Sequence, residues 1–312
     1  MKSIWKKALM YAGVVVFFLV LAYGFVPQVL GGKMVNQSDI SGYVGMAHEA
    51  NQWDAEHPGD RTAWTNSMFG GMPTTMITGN PEGDWTQKIY DAFLLGKRPA
   101  TYLFIALLGA FLLMLSLGVN AVLAIGGAVA VAFCSYNMQI IQVGHNTKMM
   151  AIAWLPWVLA AVIFTYKTAQ GLYGKTDTGN AKDSSAGVTW KRWIPQTLLG
   201  AALFGMALNF QIKANHIQIS YYLAIIIFCY VIGLFIWIVA DRERRHGIGR
   251  FFAASFLLLF LGIIGIGANA NKLIPMYRYS HQTMRGGSEL AAEGKDNAEK
   301  SKGLDLEYAT SW

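Results

Sequence analysis

The distribution of charge along the chain is the feature that most constrains its fold. Long apolar stretches alternate with segments that hold almost all of the ionisable residues. Seven of these stretches contain no Asp, Glu, Lys or Arg, and each is long enough to cross about 30 Å of hydrocarbon as a helix. The predicted spans are residues 8–30, 99–118, 120–143, 149–166, 193–212, 217–240 and 251–270.

Composition supports a membrane-embedded fold. Apolar residues make up 54% of the 312 positions and charged residues only 14%, against about 25% in typical soluble domains. In lipid the backbone must satisfy its own hydrogen bonds, so spanning segments are helices or closed barrels, and a barrel would show short alternating strands. The sequence therefore predicts an all-α polytopic membrane protein with seven transmembrane helices and a large first outer loop.

Two segments need a closer look before the spans can be counted. Residues 99–144 carry no charge and are too long for one span, and Gly118-Val119-Asn120 predicts the turn of a helical hairpin between two spans. The basic start of the chain resembles the first part of a signal peptide. However, the apolar stretch at 8–30 is longer than the roughly 7–15 residues of a signal h-region, which favours an uncleaved first span.

Lys and Arg in the short loops predict the orientation. They concentrate in 167–192 and 241–250, which the positive-inside rule assigns to the cytoplasm, whereas loop 31–98 holds five cations and eight acids. We therefore expect a protein of the cytoplasmic (inner) membrane with its N-terminus inside and its C-terminus outside. The predicted organisation is a transmembrane domain, 8–270, followed by an outer C-terminal segment, 271–312. The net charge of +7 follows from this topology and requires no nucleic-acid partner.

The cysteines and the familiar short motifs add little. Cys134 and Cys229 are the only cysteines, and both fall within predicted spans, which favours a packing role over a disulfide or a metal site. The chain contains no CxxC, HExxH, GxGxxG or P-loop pattern. The sequence thus gives no support to the redox, zinc-protease or nucleotide-binding sites that these motifs mark.

Asp39 is the acidic residue that follows the first span, at the start of a predicted helix whose apolar positions recur from Ile40 to Ala50. One interpretation is an N-cap, because Asp readily accepts hydrogen bonds from free backbone N–H groups. The other is a carboxylate at the membrane surface that acts as a general base or holds a divalent cation. The later acids of the loop are interpreted as solvated loop or turn residues: Asp54, Asp60, Asp84 and Asp91.

Three polar clusters fall at the outer ends of the predicted spans. In the first, Gln142, His145 and Lys148 are three residues apart, and in the second a stripe from Asn209 to Ser220 follows helical spacing. The third follows the seventh span. Cations at span ends often extend into the headgroup layer, and polar side chains there can bond to neighbouring helices. The alternative is a wet cavity that binds a substrate, and its candidate residues are His145, Lys148, Lys213, His216, Arg278 and Arg285.

Five motifs carry a resemblance to a known family: Val35–Ile40, Trp64–Thr74, Ser135–Lys148, Gln211–His216 and Thr283–Leu290. With them the whole chain resembles the N-terminal part of bacterial YfhO-type membrane proteins. That family is similar to GT-C glycosyltransferases, which transfer a sugar from a polyprenyl-phosphate carrier to an acceptor outside the membrane. The resemblance implies a GT-C-like fold. Since family members are longer, the resemblance leaves two alternatives, a complete shorter protein or the N-terminal part of a longer one.

The resemblance also implies a site. GT-C enzymes carry an essential acid in the first outer loop, and by position that acid corresponds to Asp39, with a divalent metal ion as a possible cofactor. The next outer loop, where some members carry a second acidic motif, offers His145 and Lys148 and no carboxylate. This departure weakens the case for a two-acid metal site.

The expected function is a membrane glycosyltransferase of the cell envelope, or its N-terminal half. Its partners would be a polyprenyl-phosphate-linked sugar, membrane lipids and an envelope glycopolymer or glycoconjugate acceptor. The alternative is a non-catalytic membrane protein such as a lipid-carrier translocase or an assembly partner. The sequence shows none of the midplane ionisable residues, repeats or broken helices that are usual in transporters.

Overall fold

The structure is a computed structural model that describes residues 2–77, 86–94, 98–172 and 190–281. Regular structure in these ranges is almost entirely helical. The α-helices are α1 (Lys2–Phe25), α2 (Ser38–Met46), α3 (His48–Glu56), α4 (Gln87–Leu94), α5 (Ala100–Leu117), α6 (Ala121–Ala132), α7 (Ser135–Val143), α8 (Asn146–Ala169), α9 (Trp190–Lys213), α10 (Ile217–Ala240), α11 (Ile248–Gly267) and α12 (Ala270–Ser280). The strands are β1 (Trp64–Thr65) and β2 (Met72–Pro73), which pair antiparallel with Trp64 opposite Pro73.

Six of the described helices are long and apolar enough to cross a membrane: α1, α5, α8, α9, α10 and α11. The pair α6 and α7, bent by 40°, makes a seventh span if it is counted as one. This architecture confirms the prediction of an all-α polytopic membrane protein.

The predicted continuous span at 120–143 is broken in the structure. Cys134, at the break, has extended backbone (φ −62°, ψ 149°) and interrupts the helix. The break frees carbonyl groups at the end of α6, which in an apolar environment need new partners. The buried Asn137 supplies them, because its amide nitrogen donates to the carbonyls of Val131 (3.0 Å) and Ala132 (3.1 Å). Sequence hydropathy did not show this break, because the residues around it are mostly apolar.

The turn predicted between the second and third spans is confirmed. Gly118 ends α5 in the left-handed conformation (φ 98°). Asn120 precedes α6, and its side chain accepts a hydrogen bond from the backbone N–H of Leu123 at 3.0 Å. The glycine and the N-cap asparagine are the turn residues that such a helical hairpin requires.

The chain divides into two compact units, one of residues 1–40 and 85–268 and the other of 41–84 and 269–312. In the first unit, α8 packs against both α5 and α9. Aromatic side chains pack where α8 and α9 meet α4. The ring centre of Phe210 in α9 lies 5.0 Å from that of Trp154 in α8 and 5.5 Å from that of Tyr90 in α4. Helix α11 packs on α9 through glycine, since a Cβ at Gly265 would lie 2.4 Å from the carbonyl oxygen of Gly205. Small residues are common where membrane helices approach this closely.

The second unit is held in part by acidic side chains. The Glu49 carboxylate accepts hydrogen bonds from the Thr65 hydroxyl (2.6 Å) and the backbone N–H of Ser67 (2.8 Å). These bonds, the Thr65 bond first, lower the pKa of Glu49. Asp54 is 3.2 Å from Arg61 and accepts from the backbone N–H of Thr62. The interpretation of Asp54 and Asp91 as solvated loop or turn residues was therefore wrong, because Asp54 lies in α3 and Asp91 in α4. Glu49 was not among the residues selected from the sequence.

Candidate functional site

The side chains of Asp39 and His145 are in contact. Oδ2 of Asp39 lies 3.1 Å from Nε2 of His145, and both side chains are 47% exposed. Helix α2 begins at Ser38, so Asp39 lies in its first turn, where a carboxylate is favoured by the helix dipole. One interpretation of the sequence placed Asp39 at the N-cap position. That interpretation was wrong, because Asp39 lies inside the helix. His145 is the residue before α8.

A pair of buried amide side chains ties the start of α2 to the start of α8. The amide of Asn146 donates to Oε1 of Gln37 (3.1 Å), and the amide of Gln37 donates to Oδ1 of Asn146 (3.3 Å). Gln37 also donates to the carbonyl of Ile141. Because Gln37 and Asn146 are close neighbours of Asp39 and His145 in the chain, this double hydrogen bond brings the two ionisable side chains together.

Gly144 allows the two segments to approach. Its φ of 107° ends α7 in the left-handed conformation. A Cβ at this position would lie 3.1 Å from Cβ of both Asp39 and Gln37, and 3.4 Å from the backbone nitrogen of Ile40. Contacts near 3.1 Å are tighter than nine in ten real Cβ contacts, so a side chain here would have to push its neighbours away. The turn between α7 and α8 therefore needs glycine for its backbone conformation and for space.

Two further basic residues belong to the same region. The pKa of His216 is lowered from its usual value of 6.5, first by burial and then by electrostatic interaction with Lys148. Both effects favour the neutral form of the ring. Nζ of Lys148 lies 5.2 Å from the ring centre of Tyr136, a cation–π distance. We refer to Asp39, His145, Lys148 and His216 as the Asp39 cluster.

The helical spacings that suggested these groupings are not the reason that the residues meet. Residues 142–148 do not form one helix, because α7 ends at Val143 and α8 begins at Asn146. The predicted stripe 209–220 is also broken: α9 ends at Lys213, α10 begins at Ile217, and Asn215 between them has a φ of 60°. The cluster forms because helix ends converge, which residue spacing along one helix cannot reveal.

Lys213 differs from the cations of the cluster. Only 6% of it is exposed. Its Nζ donates to Oε1 of Gln87 at 3.3 Å and lies 5.7 Å from the ring centre of Tyr90, both in α4. Lys213 therefore lies inside the protein and does not extend into a headgroup layer. Arg278 is exposed on α12 in the second unit, and Arg285 lies outside the described residues.

The structure also bears on the expected metal ion. Among the side chains that the structure describes, no group of three or more His, Cys, Asp or Glu residues is placed to hold a metal. Asp39 and His145 are a donor pair without a third such ligand, and a bound divalent cation usually has more. The described side chains thus do not fit a metal cage, and we assign no step of the chemistry to a metal.

Neither Gln37 nor Asn146 was among the candidate site residues selected from the sequence, although both lie in the motifs that carry the family resemblance. The signal available was the presence of amides beside apolar segments, which is too common to distinguish a buried pair. Comparison of the chain with family models, curated proteins and solved structures found no match.

Proposed function

We propose that the protein is a membrane glycosyltransferase, or the N-terminal half of one. It would transfer a sugar from a polyprenyl-phosphate carrier to an envelope glycopolymer or glycoconjugate on the outer side of the membrane. The observation that carries the proposal is the 3.1 Å contact between Asp39 and His145. A half-exposed carboxylate–imidazole pair beside the ends of apolar helices, with Lys148 and His216 alongside, suits proton transfer next to a lipid-borne phosphate.

The chemistry assigns roles to Asp39, His145 and Lys148 of the Asp39 cluster. The acceptor oxygen forms a bond to the anomeric carbon of the sugar, and the bond from that carbon to the phosphate oxygen breaks. The hydroxyl proton of the acceptor moves to the Asp39–His145 pair, as in general base catalysis. The electron pair leaves with the polyprenyl phosphate, and the positive charge of Lys148 stabilises the phosphate as its negative charge increases.

The arrangement of the spans supports a membrane-surface site. Asp39 follows α1, His145 and Lys148 lie at the start of α8, and His216 lies between α9 and α10. If α6 and α7 form one span, alternation of the helices places all of these positions on the same side of the membrane. With the N-terminus inside, that side is the outer one.

The orientation can be tested by labelling single cysteines with a membrane-impermeant thiol reagent. In a background without Cys134 and Cys229, we expect Asn66→Cys to be labelled on intact cells and Asn180→Cys to be protected until the membrane is opened. This follows from the basic loop 167–192, which should remain cytoplasmic. The reverse labelling pattern would place the Asp39 cluster inside and contradict the proposed function.

Lys148 and Lys213 permit a matched comparison, because the same Lys→Met substitution can be made at both. We expect Lys148→Met to weaken the binding of polyprenyl phosphate by about tenfold or more, the scale of one charge-assisted hydrogen bond. Lys213→Met should leave binding near the wild-type value, since Lys213 already bonds to Gln87 and is buried. Equilibrium binding to the purified protein in lipid nanodiscs measures both. Equal losses in the two variants would show that the phosphate is not bound by the Asp39 cluster.

A transfer assay tests the function itself. Purified protein is mixed with polyprenyl phosphates that carry defined radiolabelled sugars and with envelope glycopolymer as the acceptor. We expect label to move to the acceptor, with release of polyprenyl phosphate. In a parallel arm the protein is reconstituted in vesicles, and transbilayer movement of the labelled lipid is followed. Lipid movement without sugar transfer would contradict the glycosyltransferase function and support a lipid-carrier translocase instead.

A further inference from the structure

A buried amide at the end of α9 has a polar atom without a partner. Gln211 is fully buried, and its Oε1 lies 2.9 Å from the Ser220 hydroxyl, which donates to it. The amide nitrogen Nε2 has no hydrogen-bond partner among the described residues. If the amide were turned over, Ser220 would bond to the nitrogen and the oxygen would be left without a partner instead. In either orientation one polar atom of Gln211 needs a partner from outside the described protein.

His216, in the link between α9 and α10, has a similar need. Its Nδ1 is buried and has no hydrogen-bond partner in another described residue. The ring lies close enough to Lys148 and His145 of the Asp39 cluster to interact with them electrostatically. A polar atom without a partner therefore lies within the cluster, and another lies five residues earlier on α9.

Two such atoms are unusual in one short segment. Burying a polar group without a hydrogen bond is costly, and nearly all buried polar groups in proteins have a partner. Near an apolar membrane domain the cost is not relieved by bulk water. The partner that fits both atoms is a hydroxyl group, because a hydroxyl can donate and accept. It can therefore pair with either orientation of the Gln211 amide and with either tautomer of His216.

We propose that Gln211 and His216 form a hydroxyl-binding site that takes hydroxyl groups of a carbohydrate. The carbohydrate is either the sugar on the polyprenyl phosphate or the acceptor. That the hydroxyls belong to a carbohydrate rests on the proposed function, whereas the need for a hydroxyl follows from the buried atoms. In this role Gln211 is a specificity-determining residue, and it selects the sugar by where its hydroxyl groups lie.

Equilibrium binding to the full chain in lipid nanodiscs tests the site, with two arms that separate the two sources of the hydroxyl. In the first arm the probes are bare polyprenyl phosphate and polyprenyl phosphates that carry glucose, galactose, mannose or N-acetylglucosamine. In the second arm the probes are the methyl glycosides of the same sugars. We expect the wild type either to bind one glycosylated lipid about tenfold or more tightly than the bare lipid, or to bind one methyl glycoside selectively. About tenfold is the scale of one neutral hydrogen bond.

Gln211→Met removes both polar atoms and keeps the length of the side chain. This variant should lose the preference for the sugar and bind bare polyprenyl phosphate as the wild type does. Gln218→Met is the matched control, because Gln218 is exposed at the start of α10 and bonds to the hydroxyl of Tyr222 (2.8 Å). It should keep the preference. His216→Phe provides a second variant should Gln211→Met not fold, and the same loss of preference is expected.

The outcomes separate this site from the proposed function. Loss of sugar-dependent binding in Gln211→Met and His216→Phe, but not in Gln218→Met, supports the site even if the wild type transfers no sugar. Unchanged sugar preference in folded Gln211→Met and His216→Phe overturns the site, even if the wild type is an active glycosyltransferase. Absence of any sugar-dependent binding by the wild type in both arms also overturns it, and internal water is then the partner of the two atoms.

Discussion

On the proposed function, we expect Asp39→Asn to lower sugar transfer by about 10²–10⁴-fold, the scale for removal of a general base, while the protein remains folded. Asn has the size of Asp and can still contact His145, but it cannot accept the proton of the acceptor hydroxyl. Asp39 lies in the first turn of α2. Removing a single acid from the first turn of an exposed helix typically lowers the free energy of unfolding by only about 0.3–1 kcal/mol. Activity and stability should therefore respond very differently, and the radiolabel transfer assay and thermal melting measure them side by side.

Asp60→Asn is the matched control for this experiment. It makes the same change at an exposed acid of the same outer loop, so it tests whether any loss of negative charge is sufficient. We expect its activity to match that of the wild type. Full activity in folded Asp39→Asn would show that Asp39 only stabilises the start of the helix. This result would contradict the proposed glycosyltransferase chemistry.

The second large effect is non-additive. His145→Gln should reduce transfer by about 10²-fold or more, because Gln can bond to the Asp39 carboxylate but cannot share the proton. If the pair accepts the proton as one unit, Asp39→Asn/His145→Gln should be no less active than the weaker of the two single variants. Groups that act together in catalysis show this behaviour. Single-turnover rates at saturating donor lipid measure the effect on the chemical step.

The double variant can also contradict the idea that the two residues act as one unit. Losses that multiply in the double variant would mean that Asp39 and His145 act in separate steps, and that their 3.1 Å contact does not serve proton transfer. Gln142→Ala serves as the control for disturbance of the α7–α8 region, since Gln142 is exposed in α7. We expect it to be fully active.

The fold class followed from the sequence because the cost of burying charge in lipid leaves a strong pattern. Stretches without charge predicted the long helices, and Gly118 and Asn120 predicted the hairpin turn that the structure shows. The break between α6 and α7 was missed, because hydropathy reports how apolar a segment is and not whether its backbone is continuous. The partners that the Asn137 amide finds at this break depend on tertiary structure.

The candidate site was predictable only in part. His145 and Lys148 were grouped on the assumption of a single helix, which the turn at Gly144 contradicts. Lys213 was assigned from its spacing to the stripe 209–220, and the structure gives it a buried position beside α4. Contacts between residues more than a hundred positions apart, such as Asp39 with His145, arise from packing of separate helices. Such contacts cannot be predicted from the residue spacing in a single sequence.

The close backbone approach at Gly144 has a consequence for the energetics of substrate binding. The turn and the Gln37–Asn146 amide pair hold the segments that carry Asp39 and His145 together in the folded protein itself. The entropy of bringing the carboxylate and the imidazole together is therefore lost during folding and does not oppose each binding event. A site preorganised in this way can use more of the substrate's binding energy to stabilise the transition state. If the protein has the proposed activity, Gly144 thus contributes to the rate of the reaction as well as to the shape of the turn.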